Sequence, residues 1–84
     1  MDANERIIRF IREEILFEDT TAQLTAETPL LDGVIDSLAL MQLVAFLEEE
    51  FEVDVDDAEI VADNFRTVTT IGLLVDQKLG ALKG

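Results

Sequence analysis

Residues 36–52 read DSLALMQLVAFLEEEFE, and this stretch decides the fold. At about 100° per residue, Leu40, Val44, Leu47 and Phe51 fall within one narrow arc, the signature of a helix with a core-facing stripe. Asp36 or Ser37 can accept the free amides of the first turn, so the helix is expected over about 37–52. A second apolar stripe of Leu38, Met41 and Ala45 lies roughly 120° round from the first at that helical spacing. Gln42, Glu48, Glu49 and Glu52 frame it. It is either the edge of a broad core face or an exposed docking surface. In the second case Leu38, Met41, Gln42 and Ala45 give contact, and Glu48 and Glu49 steer basic partners toward the helix start.

Upstream, Ile7, Ile8, Ile11, Ile15 and Leu16 recur at three- and four-residue steps. They predict a first amphipathic helix over about 4–17, ended by Phe17. Glu5 with Arg9 and Arg9 with Glu13 are four-residue pairs on its solvated side. Residues 18–36 then hold scattered Thr and Asp with Pro29 and Gly33 and show no sustained helical period, so they form a long loop. Leu24, Leu30, Leu31, Val34 and Ile35 are expected to pin that loop to the core. Downstream, Asp56 or Asp57 caps a short helix within 57–65, where Ile60, Val61 and Phe65 supply apolar contacts. Thr67 caps a last helix over about 68–80, with Ile71, Leu74, Val75 and Leu79 on one face and Gly80 near its end. Strand alternation is nowhere sustained. The expected architecture is all-α: one domain over 1–84, a small four-helix bundle of three main helices and one short helix, with the long loop between helices 1 and 2.

Composition narrows the chemistry. The chain has 84 residues, 49% of them apolar, which is too many for a disordered tail. No apolar run approaches the roughly 20 residues that span a bilayer. The first residues, MDANERIIRFIREE, carry Asp2, Glu5, Glu13 and Glu14 where an export signal needs a basic start and an apolar stretch, so a cytoplasmic protein is expected. There is no Cys and no His. Without thiol, imidazole or the usual transition-metal ligands, self-contained catalysis is not expected. Nineteen acids against six bases give a net charge of −13. Residues 13–65 contain sixteen of the acids and no Lys or Arg. Such a surface repels nucleic acid and anionic membrane and favours a basic protein partner.

Asp54, Asp56, Asp57 and Glu59 resemble the start of a calcium loop, but its sixth position would be Glu59 rather than Gly and its twelfth Phe65 rather than an acid. Glu48 and Glu49 on a solvated helix read as surface charge rather than an acid–base pair. Gly33, Gly72, Gly80 and Gly84 build no phosphate loop. Asp36-Ser37-Leu38 remains. A serine at a helix start is ordinarily a cap, yet a phosphodiester on its hydroxyl would also sit against free amides and the positive end of the helix dipole.

Taken together, Leu30-Leu31-Asp32-Gly33, Asp36-Ser37-Leu38, the LEEEF ending at Phe51, and Asn64-Phe65 before Thr67 resemble the carrier proteins of fatty-acid, polyketide and nonribosomal peptide assembly. The resemblance covers nearly the whole chain and implies a freestanding carrier whose Ser37, next to Asp36, receives phosphopantetheine from coenzyme A. A separate phosphopantetheinyl transferase would attach it, an acyl- or aminoacyl-loading enzyme would charge it, and downstream synthase or tailoring enzymes would use the thioester. Gly33 stands four residues before Ser37, a spacing more similar to D-alanyl and peptidyl carriers than to fatty-acid carriers. Ala39 and Gln42 also occupy positions where fatty-acid carriers often have acids. These departures imply a carrier of a specialised pathway, and the domain is expected to be a monomer. The competing reading is an acidic helical interaction module without a prosthetic group, in which Ser37 is only a cap.

Overall fold

The computed structural model describes residues 3–16 and 24–83 of the chain. Three helices and one 3-10 turn carry the fold: α1 (Ala3–Phe10), continued by a π-helical turn (Ile11–Ile15), α2 (Ser37–Phe51), the 3-10 turn (Asp57–Glu59) and α3 (Val68–Lys83). No β-strand occurs among the described residues. The protein is an all-helical bundle, as its periodicity predicts.

Ile7 and Ile11 of α1 and the π turn, Leu43, Val44 and Leu47 of α2, and Val68, Ile71, Leu74 and Val75 of α3 meet in one buried core that Phe65 closes. Helix α1 approaches α3 closely at Gly72. A Cβ there would run into the Asn4 carboxamide, so the bare glycine leaves room for that side chain between the two helices. Thr67 caps α3 as expected, by a reciprocal pair of bonds: Thr70 N–H donates to Thr67 Oγ1 at 3.2 Å, and Thr67 N–H donates to Thr70 Oγ1 at 3.1 Å.

Several expectations shift. The first helix does not stay α-helical to its end, because a π turn takes over at Ile11 and Leu16 N–H donates to Ile11 O at 2.8 Å. Its predicted end at Phe17 lies outside the described residues, as does the loop from 18 to 23. The buried arc of α2 is centred on Leu43 and Leu47 and reaches Ala39, while Leu40 and Phe51 are only half-buried. The reason is that α2 packs against both α1 and α3, which widens its apolar arc and rotates it from the single stripe. The short helix contracts to one 3-10 turn capped by Asp56, whose N–H donates to Glu59 Oε1 at 2.9 Å. Val61, expected inside, is exposed. Helix α3 runs past Gly80 to Lys83, because Gly80 keeps helical backbone instead of the left-handed conformation that would end the helix.

The loop before α2 is pinned by backbone as well as by side chains. Leu30 N–H donates to Arg66 O at 2.8 Å, Thr69 N–H donates to Ala26 O at 3.1 Å, and the Thr69 hydroxyl bonds Glu27. Leu24, Leu30 and Ile35 are buried, and Val34 is half-buried. Leu31 is exposed, contrary to expectation, because the turn that buries its neighbour Leu30 points it away. Val34 and Ile35 both donate to Leu30 O, and Gly33 at φ +105° supplies the left-handed step within that turn. This turn delivers Asp36 to the start of α2.

Candidate functional site

Asp36 has extended backbone (φ −102°, ψ −172°), and the chain turns helical at Ser37. Asp36 Oδ1 accepts the Ala39 N–H at 2.8 Å, and Asp36 O accepts the Leu40 N–H at 2.8 Å. The carboxylate, not the serine hydroxyl, is therefore the cap. Ser37 is exposed, and its hydroxyl has no partner among the described residues. The amides of Ser37 and Leu38 likewise have no acceptor there. An unengaged hydroxyl beside two free amides at the positive end of a fifteen-residue helix can hold a phosphodiester.

The residues expected around it sort by exposure. Leu38 at 70% and Met41 at 52% are the most open large apolar side chains on α2, and Gln42, Ala45 and Glu49 are exposed with them. The second stripe thus faces out, next to Ser37. Glu48 differs. It is half-buried, and its Oε2 accepts the Val55 N–H at 3.1 Å, which ties the end of α2 to the segment that follows.

Sequence reasoning missed two neighbouring features. A hollow of about 400 Å³ opens beside the start of α2, with Glu14, Val34, Leu38 and Gln42 in its walls. Along the same side Phe10 and Phe46 stack at 4.3 Å with 18° between their planes, and Phe51 meets Phe46 edge-on at 6.2 Å. Arg6 lies 5.9 Å over the Phe51 ring and pairs with Glu50 at 3.2 Å. The three phenylalanines were readable as apolar residues, but only the packing of α1 on α2 assembles them. Among the described residues no group of three or more acids is arranged to hold a metal ion, and no helix is long and apolar enough to cross a membrane.

A capped helix start that leaves its serine free, on an all-helical bundle, is the form of a carrier domain. Comparison with known proteins agrees: residues 6–76 match the family described as the phosphopantetheine attachment site, and the chain belongs to that family. Aminoacyl carrier protein 1 of Bradyrhizobium diazoefficiens is 27% identical over 78 residues, covering 93% of this chain and 87% of its own length. Aminoacyl carrier protein 2 of the same organism is 24% identical over 84 residues, covering 100% of this chain and 94% of its own. A chain in a solved structure described as "Crystal structure of FAD-dependent dehydrogenase" superposes with a TM-score of 0.76 at 34% identity. The match covers 83% of this chain and 99% of that one.

The protein is thus a carrier rather than an enzyme, and its group is phosphopantetheine. Attached, that group supplies the thiol that a chain without cysteine lacks.

Proposed function

We propose that Ser37 is the attachment residue and that the protein carries aminoacyl groups as thioesters for partner enzymes of a specialised pathway. The observation that carries this reading is the division of labour at α2: Asp36 holds the helix cap, so the Ser37 hydroxyl is exposed and free to be modified. In the transfer the hydroxyl loses its proton, its oxygen forms the phosphodiester, and the adenosine bisphosphate half of coenzyme A leaves. The machinery belongs to a separate phosphopantetheinyl transferase. The aminoacyl cargo is supported by the two aminoacyl carrier relatives and by the Gly33 to Ser37 spacing.

The partners fit the charge. Leu38, Met41 and Ala45 offer a small apolar patch, and Glu49 offers a carboxylate on its rim, so transferase, loading enzyme and downstream synthase or tailoring enzymes should meet it with basic, apolar-lined surfaces. A flavin-dependent dehydrogenase is one candidate among the tailoring partners, on the strength of the solved structure that holds a similar chain. The whole chain acts as one monomeric carrier domain in the cytoplasm.

The test is intact mass after incubation with coenzyme A and a broad-specificity phosphopantetheinyl transferase. One phosphopantetheinyl group is expected on the wild type and none on Ser37→Ala. An unmodified wild type, under conditions that modify a control carrier, favours the interaction-module reading instead.

A further inference from the structure

The π turn that closes the first helix opens a groove against α2. In a continuous α-helix, at about 100° per residue, Glu14 would fall within about 20° of Ile7 and so on the buried side. A π turn takes more residues per revolution, so Glu14 lags behind that stripe and stays exposed, while Ile15 turns in against the core. Glu14 is thereby carried to the junction of two adjoining hollows. One, of about 400 Å³, lies beside Asp36 and Leu38. The next, of about 440 Å³, continues along α2 over the stacked Phe10 and Phe46 to Glu49. Glu14 and Gln42 line both.

The charges in this groove are unbalanced. Arg6 and Arg9, the bases nearest its far end, are engaged by Glu50 and Glu13 at 3.2 and 2.9 Å. Glu14 and Glu49 have no ion-pair partner among the described residues. A carboxylate on each rim above a stacked aromatic pair suits a cation that carries an apolar body. Gln42 is five residues beyond Ser37, about 7.5 Å along the helix axis, and its amide can bond the amides of a chain folded back from that serine.

We propose that this groove seats the charged end of the aminoacyl group tethered to Ser37, with its α-ammonium on Glu14 and its side chain over Phe10 and Phe46. The inference rests on the attachment and cargo argued under Proposed function. An ammonium held by a carboxylate is stabilised in its protonated form and is no nucleophile, so seating keeps the cargo's amine from attacking the thioester of a second loaded carrier.

The test loads Ser37 with either of two non-hydrolysable pantetheine amides, alanyl and propionyl, which differ only in the ammonium. Intact mass reports loading, and nitrogen-15 and carbon-13 NMR report the groove. With the alanyl arm the amides of Glu14, Gln42 and Ala45 should shift, and with the propionyl arm they should not. In Glu14→Gln, shown by its melt to be folded, the alanyl and propionyl spectra should coincide outside the first turn of α2. Equal shifts with both arms, or alanyl-specific shifts that survive Glu14→Gln, overturn the groove and leave the attachment standing. Failure of wild-type Ser37 to load either arm overturns the attachment and the groove with it.

Discussion

Asp36 Oδ1 accepts the N–H of Ala39 at 2.8 Å, and this bond separates two roles that fall on adjacent residues. Asp36 secures the helix while Ser37 is left free. Asp36→Ala should therefore lose about 0.5–2 kcal/mol of stability, the usual effect of removing an N-cap. Ser37→Ala, which removes no bond, should melt within about 0.5 kcal/mol of wild type. Paired denaturant titrations check this, and a Ser37→Ala variant as destabilised as Asp36→Ala would return the cap to the serine.

The two sides of α2 should respond in opposite ways. Leu43→Ala and Leu47→Ala, at fully buried positions, should each lose about 2–5 kcal/mol. Met41→Glu, at a half-open one, should leave the melt nearly unchanged and slow modification by the transferase. Circular dichroism melts beside transferase kinetics decide between them. A Met41→Glu melt depressed as far as that of Leu43→Ala would mean that the outer stripe is part of the core.

Charge reversal should separate Glu49 from Glu48. Glu49→Lys should slow association with a basic partner most at low salt, with the difference fading as ions screen it. Glu48→Lys should also lower the melting temperature, because it removes the acceptor of the Val55 amide. Association rates over a salt series, set against thermal melts, measure both.

Lys78 Nζ lies 2.6 Å from Glu59 Oε1, joining α3 to the 3-10 turn. The hydrogen bond from Lys78, aided by the Asp56 amide, holds the Glu59 carboxyl below its ordinary pKa. A carboxyl lowered in the folded state stabilises the fold above its unfolded pKa, about 4.3 for glutamate, and that contribution is lost as the pH falls through the lower folded value. The stability difference between wild type and Lys78→Met should therefore be constant near neutrality and shrink below about pH 4.3. Urea titrations from pH 3 to 7 would show it, and a difference independent of pH would mean that the pair does not act through this proton.

Two glycines of α3 should respond to alanine by different amounts. Gly80 is exposed with open space where a Cβ would stand, so Gly80→Ala should gain up to about 1 kcal/mol of helix propensity. Gly72→Ala gains the same propensity, but its methyl must displace the Asn4 carboxamide, so it should gain less than Gly80→Ala. In an Asn4→Gly background the gain at Gly72 should rise to that at Gly80, and a gain unchanged by the background would overturn the contact, as thermal melts would show.

The helices, the Thr67 cap, the buried loop residues Leu24, Leu30 and Ile35 and the serine at the start of α2 are all legible in the residues alone. Each depends on spacing along one chain: a helical period, a capping residue next to an apolar run, or a group of motifs. Tertiary structure decided what depends on neighbours. A wheel drawn for α2 alone selects Leu40 and Phe51, whereas packing against both α1 and α3 buries Leu43 and Ala39 in their place. Asp36 and Ser37 are equivalent as caps on paper, and the choice between them lies in the backbone, extended at Asp36 and already helical at Ser37. Glu14 lies on the buried stripe in an ideal helix, and only the π turn places it in the groove with Gln42. A periodicity gives the direction of each side chain from its own helix axis. What that side chain meets depends on where the other helices lie, which no local pattern contains.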